Sequence, residues 1–529
     1  MSLISENKEL ISEYLRDESR LRGEASSISF PETEADIVTI LDILKTSHSS
    51  VTVQGARTGI TGGAVPAGGH IMNLGRMKEI LSLRYDEGNG SYLLCVQPGL
   101  TLTELREVIR NKEFKTDTWD KDSLLTLKQF KNNGLFFFPP DPTEPSASIG
   151  GMVACDAKGA SSFAYGATRQ YVEQIRIILP DGSTGWLTRG VHRAEGRRFS
   201  FTCENGRVIS GKLPSYNIPG IKNAAGFYTD DTMDLADLII GSEGTLCIIS
   251  AIELRLIPRP PHVWGITVFL PDETNALHFV RAIRDNGNYH EEKSVLPMKP
   301  AAIEFFDSHA LHLLMEQKEL NPAFSYLHTI PEGAGSAVYV EYHGWSEDEV
   351  SYAVMAMCDI MKEYGVDENK TWIASNAHEM EHLTAFRHAI PEVVNMYIDR
   401  QKKTCPSIIK LGTDMAVHDE KLFNVYSLYC TGLEKEHLSY VIFGHVGNNH
   451  FHVNILPRTD EEYERGRKLY RKWAERVVAM RGTISAEHGT GKLKKDLLRL
   501  MFGDKGIHEM MEVKHIFDPD VILNPGNLF

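Results

Sequence analysis

Ile37, Ile40, Leu41 and Leu44 fall at the three- and four-residue spacing of a helix that buries one face, and Thr33 with Asp36 supplies a capping box in front of them. Residues 51–54 read as a short strand that runs into a glycine cluster. Further on, 91–99 (SYLLCVQPG) predicts a strand, Thr101 and Glu104 cap a second amphipathic helix, and 175–179 followed by Pro-Asp-Gly-Ser predicts a strand and its turn. This alternation predicts an α+β chain with helices packed on sheets. Two stretches, 111–134 and 192–232, lack a sustained period and are expected as insertions or long surface loops. After LRLIPRPPHVW, the prolines at 258, 260 and 261 punctuate the chain. A new set of strands (GITVFL, AVYVEYHG, YVIFGHVG, HFHVNILP) then alternates with helices to about residue 457 and marks a second domain. From about 460 the pattern predicts a long helix to Met480, a glycine-rich turn, a basic helix start and a Pro/Gly-rich tail.

Composition narrows the function classes. At 529 residues the chain can bury a large core, and a formal net charge of −15 argues against a general nucleic-acid or anionic-membrane surface. An anionic substrate would need a local basic pocket. The seven cysteines (95, 155, 203, 247, 358, 405, 430) form no zinc-ribbon or ferredoxin spacing, which points to a reducing, cytoplasmic compartment. The N-terminal segment holds five acidic residues by position 18, with Leu10, Ile11, Tyr14 and Leu15 at helical spacing, unlike a signal or transit peptide. No window of about 18 uncharged apolar residues predicts a membrane span.

Two loops are candidate phosphate cradles: 51–69 (VTVQGARTGITGGAVPAGG) and 139–151 (PPDPTEPSASIGG). Small residues let backbone N–H groups approach a pyrophosphate, and hydroxyls such as Thr58 and Ser148 add donors. Neither holds GxGxxG, and HGTGK at 488–492 lacks the first glycine of a P-loop and has Leu493 at the hydroxyl position. On spacing alone, ordinary surface turns remain an alternative.

The strings QGARTGITGGAVP (54–66), DPTEPSASIGGMVACDAKGASSFAYGATRQYVEQIRIILPDG (141–182) and IIGSEGTLCIISAIELRLIP (239–258) resemble the FAD-binding domain of the vanillyl-alcohol-oxidase-like flavoproteins. GHVGNNHFHVN (444–454), TISAEHGTGKLKK (483–495) and ILNPGNLF (522–529) resemble the FAD-linked D-2-hydroxy acid dehydrogenases, a group with D-lactate and D-2-hydroxyglutarate dehydrogenases and the glycolate oxidase flavin subunit. The resemblance implies a two-part FAD-binding domain (1–260), an antiparallel-sheet cap domain with substrate and metal site (261–457), and a C-terminal helical segment (458–529) that completes the flavin site. It places Gly55, Arg57, Thr58 and Gly59 at the pyrophosphate turn, and Asp141, Ser148, Ile149, Gly150, Gly151, Ala154 and Cys155 along the diphosphate and flavin. Glu243, Gly244, Ile248 and Ile249 fall on the strand whose backbone meets the ring, with Cys247 where the motif usually has glycine. Covalent attachment in this superfamily commonly uses a histidine of the first loop, and here the loop 51–69 holds none, the next being His70, so noncovalent FAD is expected.

His445, His450 and His452 lie on a turn into a strand, where a two-residue period puts His450 and His452 on one face and Gly444, Gly447 and Asn448–Asn449 let the chain bend back. Neutral imidazoles suit Zn²⁺ and related ions with a carboxylate completing the set, and Glu487 is the natural candidate; satisfied surface histidines are the alternative. The resemblance implies His445, His452 and Glu487 as ligands, leaves His450 outside the pattern, and expects zinc first, with manganese or iron as alternatives. It also implies Arg387 and Lys410 on the substrate carboxylate and His488 as general base. A formal HExxH at 378–382 lacks a third ligand at zincin spacing and reads as a solvated helix face.

The expected activity is therefore FAD-dependent oxidation of a D-2-hydroxy acid, D-lactate-like, to a 2-oxo acid with help from a divalent metal. Electrons would pass to an external quinone, cytochrome or electron-transfer flavoprotein, with peripheral contact at the inner membrane and a homodimer both open. The alternatives are an O₂-using flavin oxidase, an alkyl-dihydroxyacetonephosphate-synthase-like enzyme, a noncatalytic flavin-binding partner subunit and, from a different class, a flavin-free zinc hydrolase.

Overall fold

The computed structural model describes residues 3–284 and 298–529. The helix Glu34–Lys45 carries the expected capping box, and its Ile37, Ile40, Leu41 and Leu44 pack on Val51 and Met72 of a small sheet. That sheet runs in the order Ile4–Ser5, Ser27–Ser29, His70–Asn73, Val51–Gln54, and the last three strands are mutually parallel. A second capping box opens the helix Leu102–Asn111, where Thr101 and Glu104 exchange backbone bonds.

The second sheet is antiparallel, ordered Ile80–Asp86, Ser91–Val96, Ile248–Pro258, Val172–Ile178, Thr184–Thr188, with Phe136–Phe137 on the end of the central strand. The chain leaves this sheet at Pro258 and enters a third at His262. The third sheet is antiparallel throughout: Trp372–Ala374, His262–Leu270, Ser336–Gly344, Ala302–Phe306, Tyr440–Gly444, His450–Ile455, Leu411–Gly412, with Met415–Ala416 also on the His450 strand. Helices such as Ser308–Leu320 and Ala377–Gln401 cover it. The helices Asp460–Ala479 and Lys495–Phe517 follow, and the tail returns to the first sheet, where Leu523 bridges Val51. Among the described residues no helix is long and apolar enough to cross a membrane.

The two stretches expected as loops hold regular structure. Lys121–Asn132 is a helix capped by Asp120, whose buried face is Ser123, Leu127 and Phe130; the polar Ser123 hides the period. Arg198–Thr202 and Val208–Lys212 form a hairpin, with Phe199 and Phe201 buried and Gly206 at φ 87° in its turn. The alternation of RFSFT before Glu-Asn-Gly is the hairpin signal that could have located it.

A buried ionic network buttresses the loops that matter later. Asp156 ends the helix Ile149–Cys155 in a left-handed conformation, and its carboxylate meets Lys158 at 2.8 Å and Arg169 at 3.3 Å. Arg169 continues to Asp237 at 3.0 Å and donates to the Ile240 carbonyl at 2.7 Å, just before the third glycine loop. Burial alone would raise the Asp156 carboxyl, but Lys158 and Arg169 outweigh it and hold it at about 2. A carboxyl held below its unfolded value of about 3.9 adds stability above that pH, and the contribution is lost as pH falls towards 2. Asp156→Asn strands the Lys158 ammonium, so urea unfolding at pH 7 should show a loss of about 3–5 kcal/mol. The gap to wild type should shrink at pH 3; an equal gap at both values would contradict the ionic origin.

Candidate functional site

A single cavity of about 950 Å³ runs between the three glycine loops, the third sheet and the C-terminal turn. Its first wall is 53–64, where Arg57 takes φ 62° and lays its guanidinium 4.4 Å over the Tyr14 ring. Nothing stands within 4 Å of where a Cβ on Gly59 would project, so the backbone there is open to the cavity. Ser148 joins the first two loops: its Oγ accepts from the backbone N–H groups of Ala56 and Gly151, both at 3.3 Å. A Cβ on Gly55 would stand 2.1 Å from that oxygen, which is why glycine is required.

Gly55, Arg57, Thr58, Gly59, Asp141, Ser148, Gly150, Gly151, Ala154, Cys155, Glu243, Gly244 and Ile249 all line the cavity. Ile149 and Ile248 are not among the lining residues, and the expected contact of the Ile248 strand with the ring is one of backbone, not side chain. Their side chains are fully buried in cores, because the inward face of a helix turn and the alternation of a strand send them away from the opening. His70 is also outside the lining, fixed between Ser27 Oγ at 2.8 Å and Ser29 Oγ at 2.7 Å. Burial pushes the Cys155 thiol up to about 12.

Glu243 ties the flavin-type loops to the far side. In a left-handed conformation at φ 53°, it accepts from the Thr490 N–H at 2.6 Å and the Gly491 N–H at 2.7 Å. This fixes the turn 488–491 directly after Glu487 and His488. A second carboxylate, Asp414, organises the same turn from the sheet side: its oxygens accept from the N–H groups of Ala486, Glu487 and His488 and from Ser485 Oγ and Lys494 Nζ.

The turn 445–449 brings three imidazoles to that point. Gly444 sits at φ 133° and Asn449 at φ 52°, so the chain doubles back between the strands Tyr440–Gly444 and His450–Ile455. Glu487 Oε1 lies 3.2 Å from His445 Nε2, 3.2 Å from His452 Nε2 and 3.4 Å from His488 Nε2. Atoms sharing one ion at about 2.1 Å stand roughly 3.0–3.4 Å apart, so this donor set suits a divalent cation. The outer nitrogens are anchored: His445 Nδ1 is 2.7 Å from Glu304 and His452 Nδ1 is 3.1 Å from the Thr413 carbonyl. Contrary to the expected pattern, His450 belongs to the same cluster, with one ligand atom from each of His445, His450, His452 and Glu487 lying within 4.8 Å of the others.

Carboxylates and cations set one another's protonation in this buried cluster. Burial opposes protonation of His445, but Glu304 and Glu487 carry it up to about 9. Burial would raise the Glu487 carboxyl, yet His445 and the buried Lys222, 2.7 Å away, hold it well below the carboxylate range. For His488, burial is likewise outweighed by Asp414, whose Oδ2 lies 3.3 Å from Nδ1, and by Glu487, so the ring becomes more basic.

Arg387 and Lys410 line the same cavity. Arg387 is carried on the helix Ala377–Gln401, 5.6 Å over the Tyr339 ring; burial works against its charge, and Tyr339, Glu304, Glu341 and Asp141 more than compensate. Pro391, four positions on, offers no N–H to the Arg387 carbonyl, so the helix ladder is open at that turn. Lys410 Nζ donates to Asn395 Oδ1 at 3.0 Å, and desolvation draws its ammonium down to about 8.

Sequence reasoning missed Lys222, Glu304 and Asp414, each brought in from a distant element with no local pattern. The HExxH segment is helical but lies outside the cavity lining: Glu379 accepts the Ser375 N–H at 2.8 Å, and His382 meets His378 edge-on and His328 at a tilt.

Residues 259–528 match the family described as FAD linked oxidases, C-terminal domain, and residues 25–120 match the FAD binding domain family. A D-lactate dehydrogenase of Anaerostipes hadrus is 26% identical, covering 98% of this chain and 93% of that protein. Glycolate oxidase subunit GlcD of Bacillus subtilis is 24% identical over 94% of this chain and 88% of its own length. A D-2-hydroxyglutarate dehydrogenase of Xanthomonas citri pv. viticola is 24% identical over 95% and 89%. Among solved structures, alkyldihydroxyacetonephosphate synthase aligns with a TM-score of 0.62 over 99% of this chain and 82% of that one. At 15% identity, that likeness speaks to fold alone.

Proposed function

The chain belongs to the FAD-linked oxidases, with the FAD-binding fold of the vanillyl-alcohol-oxidase type, and on that premise we propose that it oxidises a D-2-hydroxy acid to the 2-oxo acid. A flavin-free hydrolase falls away with the FAD-binding match. The observation that carries the reading is one cavity lined at once by the glycine loops, Arg387, Lys410 and the His445–His452–Glu487–His488 cluster. Relatives named for D-lactate and D-2-hydroxyglutarate dehydrogenation support the substrate class.

The glycine loops would hold FAD noncovalently, and bound there it would supply the two-electron acceptor. His445, His452 and Glu487 would hold a divalent ion, zinc by donor type, which would supply a Lewis acid to the substrate. Arg387 and Lys410 bind the substrate carboxylate; the guanidinium is the group suited to two parallel bonds, and its partial desolvation strengthens them. His488 takes the hydroxyl proton at Nε2, while Asp414 fixes Nδ1 and so sets the ring's tautomer and direction. The hydroxyl C–O becomes the carbonyl as the proton and the Cα hydrogen with its electron pair depart to different acceptors.

The seven cysteines are free and scattered, offering no iron–sulfur relay, so electrons pass on to an external acceptor. A dye-linked assay on both enantiomers of lactate and 2-hydroxyglutarate tests the proposal. Turnover of a D acid with its L form at background is expected. FAD-replete protein inert towards every 2-hydroxy acid would overturn it.

A further inference from the structure

His450 is fully buried, and both its ring nitrogens lack a hydrogen-bond partner although carboxylates and imidazoles surround them. A neutral imidazole desolvated without partners is costly, and a core histidine is ordinarily satisfied, as His70 is between two serines. The surroundings of His450 point in two opposite directions. Nδ1 faces Glu487 Oε2 at 4.0 Å, and Nε2 faces Asp414 Oδ1 at 3.2 Å but outside hydrogen-bond alignment.

That disposition repeats in its neighbours. His445 has one nitrogen on Glu487 and the other on Glu304; His452 has one on Glu487 and the other on the Thr413 carbonyl. A ring with one nitrogen towards a shared point and the other anchored by an acceptor is the arrangement that fixes a metal-bound histidine. His450 also shares a strand face with His452, since one residue, Phe451, separates them, and their ring centroids are 4.4 Å apart.

We propose that His450 is a third imidazole ligand in this chain, binding through Nδ1 with Asp414 as its anchor, so that the ion is held by His445, His450, His452 and Glu487. The inference rests on the metal site of the proposed function. It accounts for the two orphaned nitrogens, and it makes the site richer in nitrogen donors than two histidines and a carboxylate, a shift that favours zinc over manganese. Four protein ligands also leave fewer positions for substrate oxygens.

The test uses the full-length FAD-bound protein, stripped with a chelator and reloaded with Zn²⁺. Zinc-edge X-ray absorption should count three imidazoles in the wild type and two in His450→Asn, and chelator competition should show zinc held at least about tenfold more weakly by the variant. Flavin content monitors folding of the variant, and the wild-type count stands without it. Two imidazoles in the wild type, or an unchanged count and affinity in a folded His450→Asn, would overturn the inference and leave the two-histidine site standing. A protein that takes up no zinc overturns the metal site of the proposed function as well.

Discussion

His488→Ala should lower turnover of the D-2-hydroxy acid by roughly 10²–10⁴-fold, the usual span for a positioned general base, while flavin content stays at the wild-type level. The expectation follows from where the ring sits. Its Nδ1 is directed at Asp414, its Nε2 at the cluster oxygen of Glu487, and both carboxylates raise its basicity against burial. None of those contacts is to the glycine loops, so FAD binding does not depend on the imidazole. The backbone N–H of residue 488 still reaches Asp414 at 3.0 Å, so alanine keeps the turn. Visible absorbance gives the flavin content and single-turnover reduction the rate. Flavin and rate falling together in a folded variant would make His488 a structural residue and remove the base assignment.

Arg387→Ala should cost about 2–5 kcal/mol in kcat/KM, a factor of roughly 30 to 4,000, by leaving a desolvated carboxylate without its partner. Arg387→Lys restores a charge but not the planar two-pronged donor, and should recover only part of the loss. Removing the cation also takes away a positive charge that acts on Glu304, Glu341 and Asp141, so the variants are compared at equal flavin content. If lysine behaved as wild type, a point charge would suffice and the bidentate role would be wrong. If alanine changed only thermal stability, Arg387 would be a counter-ion for those acids.

Much of this arrangement was legible because its signals are local. Capping boxes at Thr33 and Thr101 depend on residues three apart, and the strands of the third sheet read as continuous apolar runs because helices cover them. The glycine loops and the His-Glu motif were legible as family motifs, and they line one cavity as that resemblance implies. Motif matching does not show which way a side chain points: those of Ile149 and Ile248 are buried in cores, which leaves the expected contact there to the backbone.

The partners that arm the site come from elsewhere in the chain. Glu304 stands 141 positions before His445, and Asp414 stands 74 before His488. Only the crossing of strands in the third sheet brings them together, and no period in the sequence encodes that crossing. Lys222 reaches Glu487 from within a stretch expected to be loop, 265 positions earlier in the chain. His450 was visible on the correct strand face, yet its membership of the cluster depended on how tightly 445–449 turns, which Asn449 in a left-handed conformation decides.

The most direct test of the central claim is the visible spectrum of the purified protein under anaerobic conditions, recorded before and after D-lactate, D-2-hydroxyglutarate and glycolate are added in turn. The account predicts a yellow flavin spectrum that bleaches with one of these acids and returns when an electron acceptor is supplied. A flavin spectrum unchanged by every 2-hydroxy acid, in protein whose FAD is fully reducible by dithionite, would contradict it.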